Sequence, residues 1–316
     1  MADRKIIAVV GATGAQGGGL ARAILSDPDG GFAARALTRN PSSEAATALA
    51  SQGAEVVQAD LDDQDSLNRA FEGAHGAYCL TNFWEHFSGE KETEQGERLA
   101  NAARSAGLQH VIWSTFEDTR ESIPLDDDRM PTLQDEYKVA HFDAKADANS
   151  FFTDQGVPTT FLLTSFYWEN FIYFGLGPKR GEDGVLAVTY PMGDAKLPSI
   201  AVEDIGRCAY GIFKRGDEFI GRTVGVAGGH PTGHDLAAAF GRAFGEEVRY
   251  NAVDPDVFRG FGFPGADDVG NMFQFKRDFN DAYCAARSVD FSRSLNPELQ
   301  DLDSWLAANK DRIPLD

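Results

Sequence analysis

Cysteine is scarce: Cys79, Cys208 and Cys284 are the only three in 316 residues. They are odd in number and widely spaced. That excludes a disulfide-stapled scaffold, gives no metal-ligand spacing, and fits reduced thiols in the cytosol. Positive charge is also short. Lys and Arg total 29 against 49 Asp and Glu, a net charge of −20. Direct binding to nucleic acid or to an anionic membrane therefore lacks its electrostatic driving force. No helix-turn-helix pattern offsets this, so a DNA-binding repressor is the weakest reading. No apolar run is long enough to span a bilayer, and no apolar leader precedes the first strand. A cytoplasmic protein is expected. No serine sits in a nucleophile elbow, which leaves a hydrolase without support. No internal repeat stands out.

What is present begins at residues 5–25. A buried-strand run, Ile6 to Val10, ends at Gly11, and a helical run starts near Gln16. Gly11, Gly14 and Gly17 lie between them in a G-x-x-G-x-x-G spacing. One glycine lets the chain turn sharply, one removes the Cβ that blocks a pyrophosphate, and one lets helix and strand pack closely. The free N–H groups of the helix start, aided by its dipole, then face a phosphate. The plainer alternative is a glycine-rich turn with no ligand.

The pattern then alternates. Strands are expected at 32–38, 55–58, 75–80, 111–113 and 159–163. Helices are expected at 44–50, 64–71, 90–105 and 141–155. That is the βα spacing of an α/β fold, a Rossmann-type doubly wound parallel sheet. After Thr164 the pattern changes. Residues 166–174 are dense in aromatics, and 175–197 are rich in Gly, Pro and charge, which suits a wall or lid over a cleft. Residues 200–206 read as a strand turning into a helix and 224–227 as a further strand. Thr232-Gly233-His234-Asp235 reads as a capping box opening a helix through Phe244. The predicted domains are 1–165 (with 199–227 returning to it), the dinucleotide-binding part, and a smaller α+β C-terminal domain of 166–198 and 228–316. The acidic stretch 117–130, with Asp126-Asp127-Asp128, reads as a solvated loop. His230 and His234 flank a Pro and a Gly and read as a loop capping a helix, so no metal site is assigned.

The end of the second strand decides the cofactor. An NAD site places an acid there for the ribose 2′-hydroxyl. Here the residues are Thr38, Arg39 and Asn40, and the guanidinium of Arg39 suits a 2′-phosphate, which favours NADP(H). The alternative is a surface arginine. Ligands lie beyond the carboxyl ends of parallel strands, so Asp60 and Leu61 would flank the adenine. By the same rule Thr81, Asn82 and Phe83 would line the cleft near the nicotinamide ribose. Short-chain reductases of this fold use Tyr-x-x-x-Lys with a serine ending the fifth strand. Ser114 is in place, but the helix offers His141-x-x-x-Lys145, and Tyr137 lies a turn earlier. Lys145 can bind ribose hydroxyls. His141 is either a proton donor, since imidazole titrates near neutrality, or a helix-start residue with no proton-transfer role.

Several stretches resemble the NmrA-like family of atypical short-chain dehydrogenases. They include Val10-Gly11-Ala12-Thr13-Gly14-Ala15-Gln16-Gly17-Gly18, Leu37-Thr38-Arg39-Asn40-Pro41 and Ala140-His141-Phe142-Asp143-Ala144-Lys145. Others are Tyr167-Trp168-Glu169-Asn170 and Gly262-Phe263-Pro264-Gly265-Ala266. The likeness covers nearly the whole chain and is strongest to the animal NADPH redox-sensor branch. It implies NADP(H) bound by Gly11, Ala12, Thr13, Gly14, Ala15, Gln16, Gly17, Arg39, Asp60, Leu61, Thr81, Asn82, Phe83, Lys145, Tyr167, Trp168, Glu169 and Asn170. It also implies little classical dehydrogenase activity, a regulated protein partner, and a conformation or oligomeric state, such as a homodimer, that follows the NADPH level. Glu94 stands where that branch carries a basic residue, and the 118–137 region is longer. The alternative is an NADPH-dependent reductase of quinones or related carbonyl compounds. Its apparatus would be Ser114, His141, Lys145 and the aromatic segment.

Overall fold

Short Val, Ile and Ala runs bounded by glycine form the strands, and the amphipathic stretches between them form the helices. A computed structural model describes residues 4–316. In chain order its first elements are β1 (Lys5–Val9), α1 (Ala15–Leu25), β2 (Phe32–Thr38), α2 (Glu44–Ser51), β3 (Glu55–Gln58) and α3 (Gln64–Phe71). There follow β4 (Gly76–Cys79), α4 (Gly89–Ser105), β5 (His110–Thr115), α5 (Ala140–Asp147), α6 (Asn149–Asp154) and β6 (Thr159–Leu163). Next come β7 (Phe166–Tyr167), α7 (Asn170–Tyr173), β8 (Lys179–Arg180), β9 (Leu186–Tyr190), β10 (Ser199–Ile200), α8 (Val202–Lys214) and β11 (Thr223–Gly225). The last are α9 (Gly233–Phe244), β12 (Val248–Ala252), α10 (Pro255–Arg259), α11 (Ala266–Asp278), α12 (Asn280–Ala285), α13 (Val289–Leu295) and α14 (Leu302–Asn309).

The chain forms two units. The first takes the residues up to Asp118, His141–Thr164 and Val202–Val224. Its seven-stranded sheet runs β11-β6-β5-β4-β1-β2-β3. The ladders from β6 to β3 are parallel, with Val9 opposite both Ala36 and Tyr78. The order reverses between β4 and β1, the switch point where doubly wound sheets open a crevice. Every residue of β5 and β6 is buried, as sheets covered on both faces require. One core layer joins Val10, Leu67, Phe71, Ala77, Leu99, Trp113 and Phe152. Helices α1 and α8 touch through glycine: a Cβ on Gly19 would lie 2.9 Å from Glu203 O, and one on Gly206 would strike the Leu20 amide nitrogen.

The expected strands are present to within two residues, but one expected helix is broken and one stretch holds strands that were not expected. The 141–155 helix is interrupted at Ala148. There an i to i+3 bond, Phe151 N to Ala148 O at 3.2 Å, tightens the chain. The Asn149 carboxamide accepts from Trp113 Nε1 and Thr115 Oγ1, both at 2.9 Å. The 175–197 stretch, for which no strand was expected, holds regular structure. It contains β8 and β9, and β9 pairs antiparallel with β8 and parallel with β12.

The second unit takes Thr119–Ala140, Ser165–Ala201 and Gly225–Asp316. Residues 119–140 thus group with it, where the sequence boundary had left them in the first domain. The reason lies in α11: Asn271 Nδ2 donates to Pro131 O (2.9 Å) and Lys138 O (2.5 Å), and Gln274 Nε2 donates to Arg129 O (2.7 Å). Helix α9 opens with the expected capping box. Thr232 Oγ1 accepts from Asp235 N, and Asp235 Oδ2 accepts from Thr232 N.

Candidate cofactor site

Val10 N donates to Tyr78 O at 3.0 Å, which carries the end of β1 alongside β4. The chain then turns at Gly11, whose φ of +62° is the left-handed conformation that glycine adopts without strain. Gly14 N donates to Gly11 O at 2.8 Å and closes the turn. Gly14 is the N-cap of α1, and neither a capping side chain nor an acid occupies the first turn. A helix start without a side-chain cap suits an anion, and the dipole of an 11-residue helix favours negative charge. Gly17 is buried, and a Cβ on it would stand 2.5 Å from Val10 O and 2.6 Å from Gly11 O. This is the close helix–strand approach the spacing predicts. Ala12 is buried, while Thr13, Gly14 and Ala15 are exposed at the mouth of the turn.

Gln16 ties this loop to the next two strands. Its Oε1 accepts from Tyr78 Oη at 2.7 Å and from Ser114 Oγ at 2.9 Å. The Ser114 hydroxyl is therefore engaged with the glycine loop. Tyr78, a partner in this bridge, was not assigned a role from sequence.

Arg39 lies just past β2, with 65% of its side chain exposed. Its Nη1 and Nη2 donate to the two oxygens of Glu85 at 2.9 and 3.0 Å. Asp60 follows β3, where its Oδ1 accepts from Asp62 N and its own N–H donates to Ser66 Oγ. Leu61 beside it packs against the core layer.

Beyond β4 the chain reaches a buried polar cluster. Lys145 Nζ, on α5, donates to Thr81 O (3.0 Å) and Thr81 Oγ1 (2.6 Å) and stands 2.6 Å from Glu92 Oε1. Thr81 Oγ1 donates to the same carboxylate oxygen at 2.6 Å. His86 Nδ1 accepts from Ser88 N, which assigns the ring proton to Nε2, 3.3 Å from Glu92 Oε2. Burial alone would raise the Glu92 carboxyl. The charge of Lys145, the facing His86 ring and hydrogen bonds from Lys145 and Thr81 outweigh it and hold the group down at about 2. The Lys145 ammonium also stands 5.4 Å from the centre of the Trp113 ring.

His141, one turn before Lys145, is buried among aromatic rings. Its neighbours are Phe142 at 4.7 Å, Trp84 at 5.0 Å, and Phe83 and Phe116 at 5.9 Å. Phe83 and Trp84 belong to one helical turn, Phe83–Glu85, entered from Asn82. Asn82 Nδ2 donates to Glu85 Oε1 at 3.2 Å. Tyr137 precedes the start of α5 and lies outside the helix, within the second unit.

The first unit thus gathers Gly11–Gly17, Arg39, Thr81–Phe83, Ser114, His141 and Lys145 at the carboxyl ends of its strands. Sequence reasoning missed Glu92, Glu85 and Tyr78. For Glu92 a signal existed. On α4 the buried residues Glu92, Gln95, Gly96, Leu99, Ala100 and Ala103 recur at helical period, so this acid falls on the core stripe while Glu94 falls off it.

Tyr167, Trp168, Glu169 and Asn170 belong to the second unit. Trp168 is fully buried there, its Nε1 donating to Ser199 Oγ at 2.9 Å. Glu169 Oε1 accepts from Trp305 Nε1 at 3.1 Å, and Asn170 starts α7. Phe171 packs on Phe240 and Trp305, so much of the aromatic run serves the core of that unit.

Among the described residues no helix is long and apolar enough to cross a membrane. Residues 3–306 match the NmrA-like family. The chain is similar to the NmrA-like family domain-containing oxidoreductase FrzB of Cladobotryum sp, at 32% identity over 303 residues, 89% of this chain and 86% of that protein. Its fold is similar to that of NmrA, a negative transcriptional regulator solved in complex with NADP (TM-score 0.77, 24% identity, 96% of this chain and 95% of that one). It is also similar to the triphenylmethane reductase of Citrobacter sp. complexed with NADP(H) (TM-score 0.74, 21% identity, 96% and 99% covered).

Proposed function

This chain belongs to the NmrA-like family, and on that premise we propose that it is an NADP(H)-binding sensor or regulator with little turnover of its own. The residues present fit the dinucleotide. The Gly11–Gly17 turn leads into a helix start with no side-chain cap and no acid in its first turn, and glycine at 17 lets that helix pack against the end of β1. Arg39 would hold the 2′-phosphate, Asp60 and Leu61 the adenine side, and Thr81 to Phe83 with Lys145 the nicotinamide ribose. NADP-bound NmrA and triphenylmethane reductase support that reading by analogy. Buried thiols at Cys79 and Cys208, neither in a disulfide, are consistent with a cytoplasmic setting.

The carrying observation is the Glu92–Lys145–Thr81 cluster beside a ring-enclosed His141. In a short-chain reductase the lysine charge lowers the pKa of a tyrosine. Here a buried carboxylate neutralises that charge, and the position four residues earlier is a histidine. The apparatus for proton delivery is thereby weakened while the groups for binding remain. Relatives that carry the name oxidoreductase favour the second reading, an NADPH-dependent reductase of quinones or related carbonyl compounds. NADPH would supply hydride, and His141 would hold the proton for the substrate oxygen.

Calorimetric titration with NADPH, NADP⁺, NADH and NAD⁺, followed by sizing in each state, tests the first reading. NADPH is expected to bind more tightly than NADH, with Arg39→Ala reducing the difference by tenfold or more, since one charge-assisted contact contributes about 1.5–3 kcal/mol. Equal affinities in the parent protein would sink the NADP(H) assignment. Steady NADPH turnover with quinones or aldehydes, lost in His141→Ala or Lys145→Ala, would replace the sensor by the reductase.

A further inference from the structure

Arg39 is already engaged. Its fork meets both oxygens of Glu85, the same two-point geometry a guanidinium makes with a phosphate. Asn82 Nδ2 donates to Oε1, the same carboxylate oxygen that takes Arg39 Nη2. Arg39 and Glu85 are 65% and 47% exposed, and an ion pair so open to water is weakly held and readily exchanged. A carboxylate placed there occupies the donors a 2′-phosphate requires, and it sets a negative charge against a dianion.

We infer that Glu85 is an internal competitor for Arg39, sets how strongly the site prefers NADP(H) over NAD(H), and leaves the arginine when a 2′-phosphate arrives. The inference rests on the NADP(H) reading above. The position of Glu85 gives the exchange further reach. Phe83, Trp84, Glu85 and His86 are consecutive. Phe83 and Trp84 pack on the His141 ring, and His86 faces Glu92, which holds Lys145. A phosphate at Arg39 therefore acts on His141 and Lys145 through one turn of chain. NAD(H), with a hydroxyl in place of the phosphate, leaves the Arg39–Glu85 pair closed. The two dinucleotides are then distinguished by the state of this turn, independently of any reaction.

The test is a double-mutant cycle read by calorimetry. NADPH, NADH, adenosine 2′,5′-bisphosphate and 5′-AMP are titrated into the parent protein, Glu85→Gln, Arg39→Ala and the double variant. Glu85→Gln is expected to tighten NADPH and the bisphosphate by about three- to fivefold, as for release of an exposed ion pair worth up to about 1 kcal/mol. NADH and 5′-AMP should be unchanged within error, and most of the gain should vanish in the Arg39→Ala background. The imidazole resonances of His141 should shift with the bisphosphate and not with 5′-AMP in the parent, and this contrast should be lost in Glu85→Gln. An unchanged NADPH-to-NADH ratio in Glu85→Gln, with Arg39→Ala still weakening NADPH, overturns the competitor and leaves the NADP(H) reading standing. A full gain in the Arg39→Ala background also overturns it, because Glu85 would then repel phosphate without occupying the arginine. Arg39→Ala without effect on NADPH overturns the underlying reading itself.

Discussion

Replacing Glu92 by Gln keeps the shape of the side chain and removes its charge. The carboxyl is fully buried and shares Oε1 between Lys145 and Thr81, both at 2.6 Å. Removing one member of a buried ion pair costs about 3–5 kcal/mol, because the other charge remains out of water. Gln retains an acceptor oxygen, and Lys145 keeps Thr81 O at 3.0 Å. The lower end, about 3 kcal/mol, is therefore expected, and at 1.4 kcal/mol per factor of ten this is roughly a hundredfold in the opening equilibrium. Hydrogen exchange of the β4, β5, α4 and α5 amides, normalised to intrinsic rates, reads this locally.

The pH dependence supplies a second check. The Glu92 carboxyl lies at about 2 in the folded chain against an ordinary 4.5. Its contribution is fully present above about 4.5 and is lost as pH falls towards 2. Parent protection should fall across that window while Glu92→Gln, which never had the contribution, falls less, so that the two converge. Lys145→Met, which strands a buried carboxylate, should be more damaging than Glu92→Gln, and combining the two should recover part of the loss. Equal protection of parent and Glu92→Gln from pH 7 to 3, or strict additivity of the double variant, would refute the reasoning.

Further outcomes follow from the same structure. Gly17→Ala would place a methyl group 2.5 Å from Val10 O, against backbone that cannot yield cheaply. Calorimetry should show dinucleotide binding weakened at least tenfold, together with a lower melting temperature. Burial pushes the His110 imidazole down to about 4. Its contribution to stability is present above about 6.5 and lost as pH falls through about 4. Its NMR titration should show a neutral ring at pH 5, and a midpoint near 6.5 would contradict the burial argument. Thr232→Ala removes the hydroxyl of the α9 capping box and should cost about 1 kcal/mol in thermal unfolding of the second unit.

Local pattern carried most of the fold. The limits of β2, β3, α3 and β6 agree with the sequence reading, because each is a short apolar run or an amphipathic turn closed by glycine or a capping acid. The capping box at Thr232 and the glycine turn after β1 were legible for the same reason: their partners lie within a few residues. Where the pattern failed, distant partners decided. Residues 186–190 form a strand, buried at alternate positions, because β12, some sixty positions later, supplies a parallel edge. Residues 119–140 join the second unit because Asn271 and Gln274 reach their carbonyls.

The sequence by itself determined that a parallel α/β sheet begins with a strand from about residue 6, that a glycine turn and a helix start follow it, and that an arginine stands where an NAD site places an acid. These are matters of periodicity and of backbone geometry within a turn, which neighbouring residues alone decide. Only the tertiary structure decided the partners of the charges. It set Glu92 against Lys145, 53 positions away, and Glu85 against Arg39, 46 positions away. Strand order brings the ends of β2, β4 and β5 to one edge, and no spacing along the chain encodes which side chains meet there. The glycine turn is written in adjacent residues, whereas the pairing of the distant charges around it is set by the order of the strands.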